Sequence, residues 1–170
     1  MAKLPGDYIA GFVDGEGHFG FRHYKEVKKF RGGKKRHWEG WRWIIVFGIN
    51  LHSDDHEILK DVRDTLGCGS LYEYRNRPMI FYVVSNFNDI VTKVIPFFEK
   101  YPLHAKKKKD FELWKRAADI LQRAKKRPGG RSSKLSLSPV GEAELISIDK
   151  DLKVLHYKKE VHRKFHRGNK

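Results

Sequence analysis

Residues 41–50, WRWIIVFGIN, alternate with a period of two. Trp41, Trp43, Ile45, Phe47 and Ile49 fall on one side; Arg42, Ile44, Val46, Gly48 and Asn50 fall on the other. Successive side chains of a strand point to opposite faces, so this segment demands a sheet with one face on a core and the other turned outward. Trp43 and Phe47 share their face with Ile45 and Ile49, which assigns them to the core. The same period begins at His18. Phe19, Phe21 and His23 share one face; His18, Gly20, Arg22 and Tyr24 share the opposite one. Gly32 and Gly33 mark the turn between these two strands. Residues 70–74 and 79–85 predict a hairpin turning at Arg75-Asn76-Arg77-Pro78.

Helical spacing fills the rest. Pro5 and Asp7 are start signals for a short helix over 8–15. Asp54 and Glu57 predict a capping box, Ile58, Leu59, Val62 and Leu66 an apolar stripe, and Gly67 a stop. Residues 88–101 read as a helix interrupted at Pro96. Residues 106–126 read as another, burying Phe111, Trp114, Ala117, Ala118 and Leu121. The expected class is α+β: an αββαββα core over 1–126 with an antiparallel sheet. A basic linker and a C-terminal helical extension, 127–170, follow. Ser138 and Pro139 open that last helix, and Val140, Ile146, Leu152 and Leu155 form its apolar set.

The chain has 36 Lys and Arg against 21 Asp and Glu, a formal charge of +15 over 170 residues. The excess is clustered. Residues 22–43 carry nine basic residues against Glu26 and Glu39, residues 106–109 are four lysines, and the stretches around 125–134 and 158–170 are basic again. Such clustering implies a polyanion, since each phosphate neutralised releases condensed counterions. No apolar run approaches the roughly 18 residues of a membrane span, and the N-terminus has neither signal-peptide nor transit-peptide character. The expected setting is intracellular, without a membrane: archaeal or bacterial cytoplasm, or an organelle interior. Cys68, the one cysteine, excludes an intrachain disulfide and an all-cysteine zinc site. His52 with His56, and His162 with His166, are four apart but lack a third ligand and read as ordinary surface or DNA-facing histidines.

The stretch that carries chemistry is Ile9-Ala10-Gly11-Phe12-Val13-Asp14-Gly15-Glu16-Gly17. Gly11 and Gly15 share one helical face, and small residues at that spacing let two helix backbones approach closely. Each interior glycine costs about 1 kcal/mol relative to alanine, so close packing against another helix is the natural compensation. Asp14 and Glu16 lie at the helix C-terminus, where carboxylates oppose the helix dipole and a bound cation reverses the sign. If a second copy of the helix packs on the first, their acids converge. Convergent hard oxygens suit Mg²⁺, and paired ions suit phosphodiester hydrolysis. The bland alternative is a helix ending in a Gly-rich turn with its acids in solvent.

Residues 8–17, YIAGFVDGEG, resemble the signature of the LAGLIDADG homing endonucleases, including the small pair Ala10-Gly11 and the final acid-Gly. The αββαββα order resembles that family's core, and Tyr101-Pro102-Leu103-His104-Ala105-Lys106-Lys107 resembles the stretch before its last core helix. The resemblance implies a saddle-shaped antiparallel sheet laid in the major groove of double-stranded DNA. It implies a homodimer joined through Ala10, Gly11, Asp14 and Gly15. It also implies a catalytic Mg²⁺ or Mn²⁺ on Glu16 and the Gly15 carbonyl. The family's basic residue maps to Lys106, with Lys107 and Lys108 as neighbours able to take the role. Asn50 is the candidate for positioning water, although Gly48 stands where the family often has glutamine; Glu16 replaces the more familiar aspartate. A two-fold dimer implies a pseudo-palindromic target of roughly 20 bp, cut to leave short 3′ overhangs in intron homing. An RNA maturase for intron splicing, or a non-catalytic DNA-binding regulator, would keep the same fold.

Strand parity names the DNA-facing residues. They are His18, Arg22 and Tyr24 on the first strand and Arg42, Ile44 and Val46 on the second. Tyr72, Tyr74, Arg75 and Arg77 come from the hairpin. Ile44 and Val46 suit thymine methyls and Arg42 suits guanine. Lys28, Lys29, Lys34, Lys35, Lys125 and Lys126, with Lys107 and Lys108, suit phosphate.

Overall fold

The computed structural model describes residues 3–29, 37–125 and 137–167. Helix α1 (Gly6–Glu16) runs directly into β1 (Gly17–Lys29), which pairs antiparallel with β2 (His37–His52). Helix α2 (His56–Leu66) leads to the hairpin β3 (Ser70–Glu73) and β4 (Met79–Val84). Then come α3 (Phe87–Asp89), a π turn (Ile90–Val94), α4 (Ile95–Lys100), α5 (Lys107–Lys125) and α6 (Pro139–Arg167). The αββαββα order is therefore present, its last helical position divided between the α3–α4 run and α5. The four strands form one antiparallel sheet in the order β1-β2-β4-β3.

The alternation foreseen for β1 and β2 sets the layers. Phe19, Phe21, Ile45, Phe47 and Ile49 are buried with Ile80, Tyr82 and Val84 of β4 under the helices. Phe19 centres an aromatic cluster with Phe47, Phe98, Phe111 and Trp114, at ring-centroid distances of 5.3–5.7 Å, which is the range of attractive edge and offset packing. Trp43 stacks between Phe21 and His23, so it belongs to the inner face as its parity requires. The buried Trp114 indole N–H is shared by the carbonyls of Gly20 and Val46, at 3.1 Å each. That bond ties α5 to the β1–β2 pair.

Three local expectations change. The Asp54–Glu57 capping box does not form. Ser53–Asp55 is a 3₁₀ turn whose Asp54 N–H is accepted by His52 Nδ1, and α2 starts one residue later than the box requires, with Asp55 as its N-cap. Gly67 does end α2, in the left-handed region at φ 66°. The irregularity assigned to Pro96 lies before it. Pro96 has no N–H for the Thr92 carbonyl, and the chain widens into the π turn, with Ile95 N–H bonded to the Ile90 carbonyl. Among the described side chains of α6 the buried ones are Leu145, Ile148, Asp149 and Leu152; Val140 and Ile146 are exposed, correcting the expected apolar set. Ser138 caps α6 through its hydroxyl, which accepts the Gly141 N–H. The helix packs on α5 and β1, and Leu145, Ile148 and Leu152 join the common core, so the C-terminal extension is docked on the core. Most of the expected linker, 127–136, lies outside the described residues.

Candidate nucleic-acid interface and acidic centre

Helix α1 buries Ile9, Ala10 and Val13 against the core and turns Gly11, Gly15 and Glu16 outward. A β-carbon added at Gly11 or Gly15 would meet nothing within 4 Å among the described residues. None of those residues therefore requires the two glycines. Tyr8, half exposed, stacks on Phe12 along the same helix. Ala10 is 3% exposed and belongs to this chain's own core, so it is not on the open face where the dimer contact was expected. Gly17 is different: a β-carbon there would lie 2.4 Å from Val13 Cγ1 and 2.6 Å from the Val13 carbonyl. The abrupt α1-to-β1 corner, with Gly17 N–H on that carbonyl, needs glycine.

The two acids of the motif part company. Asp14, expected at the dimer contact, turns one oxygen to its own chain. Its Oδ2 accepts the backbone N–H groups of His104 (2.8 Å) and Ala105 (3.2 Å), just before α5. Its Oδ1 is buried without a hydrogen-bond partner. Glu16 is exposed at the end of the open glycine face. Lys107, the first residue of α5, donates from Nζ to the Gly17 carbonyl. Lys106 occupies the preceding turn and is exposed, so of the lysines named for this role Lys107 is the one whose side chain reaches Gly17. Asn50 follows Ile49, the partner of Gly17, and is exposed at the end of the same ladder. Lys107 thus reaches the chain at Gly17, the residue after Glu16, and Asn50 is the residue after Gly17's ladder partner Ile49.

The donors on offer for a metal are hard oxygens, the Glu16 carboxylate and the last-turn carbonyl of Gly15. Such a set suits Mg²⁺, which keeps several waters and takes one or two carboxylates together with substrate phosphates. Among the described residues no group of three or more His, Cys, Asp or Glu is placed to hold a metal ion.

The outer face of the sheet follows from the register. His18 pairs with Gly48, Gly20 with Val46, Arg22 with Ile44 and Tyr24 with Arg42. His18, Arg22 and Arg42 are exposed; Tyr24, Ile44 and Val46 are half-buried. Tyr72 and Tyr74 are exposed, and Arg75 and Arg77 occupy the hairpin turn. Two residues escaped sequence reasoning. Val83 pairs with both Gly48 and Ser70, and Phe81 with both Asn50 and Tyr72, so both share the outer face. Their signal was the parity of β4, whose alternate residues Ile80, Tyr82 and Val84 are buried. Phe81 meets the Tyr74 ring edge-on at 4.6 Å, and the two line a shallow recess of about 280 Å³ with Tyr72 and Val83. Lys108 is exposed but lies in the helical layer, away from the sheet's outer face. The side chains of Lys28, Lys29 and Lys125, and residues Lys34, Lys35 and Lys126, lie outside the described residues.

Residues 9–118 match the model of the LAGLIDADG endonuclease family. The chain belongs to that family. It is 28% identical over 127 residues to the "Probable intron-encoded endonuclease 2" of Neurospora crassa, covering 72% of this chain and 25% of that protein. It is 32% identical over 110 residues to the "Probable intron-encoded DNA endonuclease 1" of Mycosarcoma maydis, covering 65% of this chain and 35% of that one. The chain thus spans about a quarter to a third of these relatives. Among solved structures it resembles the LAGLIDADG meganuclease I-SmaMI bound to uncleaveable DNA. The TM-score is 0.66 at 30% identity, over 86% of this chain and 44% of that one. A second I-SmaMI structure, on uncleaved DNA with calcium ions, gives a TM-score of 0.68 at 30% identity, over 88% and 45%. The α+β core and its one-sided antiparallel sheet are the architecture of LAGLIDADG meganucleases. No helix among the described residues is long and apolar enough to cross a membrane.

Proposed function

We propose that this LAGLIDADG chain is a site-specific, intron-encoded homing endonuclease. It works as a homodimer and hydrolyses both strands of a long pseudo-palindromic DNA target, leaving short 3′ overhangs. The reading rests on one observation above the rest: an open face at Gly11 and Gly15 ends in the exposed Glu16, and Lys107 reaches the carbonyl of Gly17, the next residue. A second copy of α1 on that face brings two such ends together. The named relatives support the nuclease assignment, and the I-SmaMI complexes support DNA as the ligand of the sheet.

The residues divide the work. Glu16 and the Gly15 carbonyl hold Mg²⁺ or Mn²⁺, which when bound neutralises phosphate charge and acidifies water. Lys107 sets a cation where negative charge grows on the phosphoryl oxygens, the arrangement that contributes most in electrostatic catalysis. Asn50 orients a water by hydrogen bonding. The sheet's outer face enters the major groove: Arg22 and Arg42 offer paired donors for guanine, and Ile44, Val46 and Val83 offer apolar contact to thymine methyls. The test starts from a target recovered by cleavage selection on a randomised library. Glu16→Gln keeps binding to that duplex and loses cleavage by at least 10³-fold, a magnitude typical of removing a principal electrostatic group. Full cleavage by this variant contradicts the assignment. Binding without cleavage by the wild-type chain in Mg²⁺ and in Mn²⁺ favours the regulator or maturase reading.

A further inference from the structure

The first acid of the motif is left over by this mechanism, and it is better anchored than the second. Asp14 Oδ2 accepts two backbone N–H groups, from His104 and Ala105, 90 and 91 residues away in sequence. Those two residues immediately precede the turn at Lys106 from which α5 starts. Two residues beyond Ala105, Lys107 reaches back to the Gly17 carbonyl, three residues beyond Asp14. The result is a closed loop of contacts: Asp14 to the chain entering α5, and the start of α5 to the chain leaving α1. Further along α5, Trp114 is tied to Gly20 and Val46. The helix is thereby pinned downstream, while its first turn is held by Asp14.

We propose that Asp14 is a positioning residue for Lys107. It sets the lysine's place at the Gly17 carbonyl, one residue from Glu16, by fixing the backbone at 104–105, and so divides the motif's acids between metal binding and lysine placement. This rests on the catalytic role given above to Lys107. A carboxylate accepting two backbone N–H groups makes charge-assisted bonds, stronger than neutral ones and directional enough to hold a segment in register. A displacement of about 1 Å in a charged group can cost about 10²-fold in rate without a large change in binding.

The experiment is a double-mutant cycle on the full-length protein with the selected duplex, reading single-turnover cleavage, duplex Kd and melting temperature. Asp14→Ala is expected to slow cleavage about 10- to 100-fold with Kd within about 3-fold. In a Lys107→Met background the same change is expected to slow nothing further. Asp14→Asn retains an acceptor for the two N–H groups and is expected to recover most of the lost rate. Wild-type rates from Lys107→Met alone overturn both the role of Lys107 and this proposal. A slow Lys107→Met with a fast Asp14→Ala overturns this proposal alone. So do multiplicative losses in the double variant, which would mark Asp14 as acting through something other than the lysine. Asp14→Ala falling in melting temperature, binding and cleavage together, with no rescue by asparagine, overturns it as well, since that is a purely structural carboxylate.

Discussion

A methyl group at Gly17 would press on the Val13 backbone, whereas one at Gly11 or Gly15 would enter open space. The same substitution should therefore act in opposite ways. Gly17→Ala forces the corner to shift and should destabilise the fold by about 1–3 kcal/mol in urea denaturation, the cost of overpacking. Gly11→Ala should leave the folded monomer intact, or stabilise it by up to about 1 kcal/mol through helix propensity, while weakening self-association. Equal destabilisation at both sites would mean that the α1 face is not free in the folded chain. The sequence shows the 11/15 spacing plainly but hides which small residue faces inward. Ala10 is as small as its neighbour, and only its place beside Ile9 and Val13 on the buried stripe puts it in the core. The choice among Lys106, Lys107 and Lys108 stayed open for a related reason. Four consecutive lysines carry no phase, and the turn ending at Lys106 decides which of them points at Gly17.

Strands were easier to read than helices. In β1 and β2 the alternate residues Phe19 and Phe21, and Ile45, Phe47 and Ile49, are buried, so alternation gives the face and the register gives its neighbours. In α6 the apolar residues mislead. Asp149 lies at a buried position between Ile148 and Leu152, where its Oδ2 is paired with Lys153 Nζ, while Val140, Ile146 and Val154 are exposed. A polar residue in the buried stripe and apolar ones outside it shift the apparent phase. Leu152→Ala should accordingly cost about 2–5 kcal/mol as a core truncation, and Ile146→Ser should stay within about 0.5 kcal/mol, both by urea denaturation. Similar losses from the two would restore the phase read from the sequence. The capping box failed for lack of room: the 3₁₀ turn takes up Ser53–Asp55 before α2 begins.

At the scale of the molecule, the +15 charge and the one-sided sheet belong to the same design. Helices cover the inner face, and the outer face keeps Arg22 and Arg42 beside the apolar Ile44, Val46 and Val83. Arg42→Ala should cost about 1–3 kcal/mol of binding and relax base preference at one position of each half-site if its contact is to a guanine edge. If its contact is to phosphate, binding should fall evenly across sequences and the log–log salt slope should drop by about 1. Competition binding on a panel of single-position target variants separates these outcomes. The centre of the account is that one chain holds half of a hydrolytic site and that the open glycine face of α1 supplies the other half from a second copy. The most direct measurement is sedimentation of the full-length chain on the selected duplex. Two chains per duplex are predicted, with Gly11→Arg giving a folded monomer that no longer cuts; a single chain bound to the duplex and cutting both strands would contradict the account.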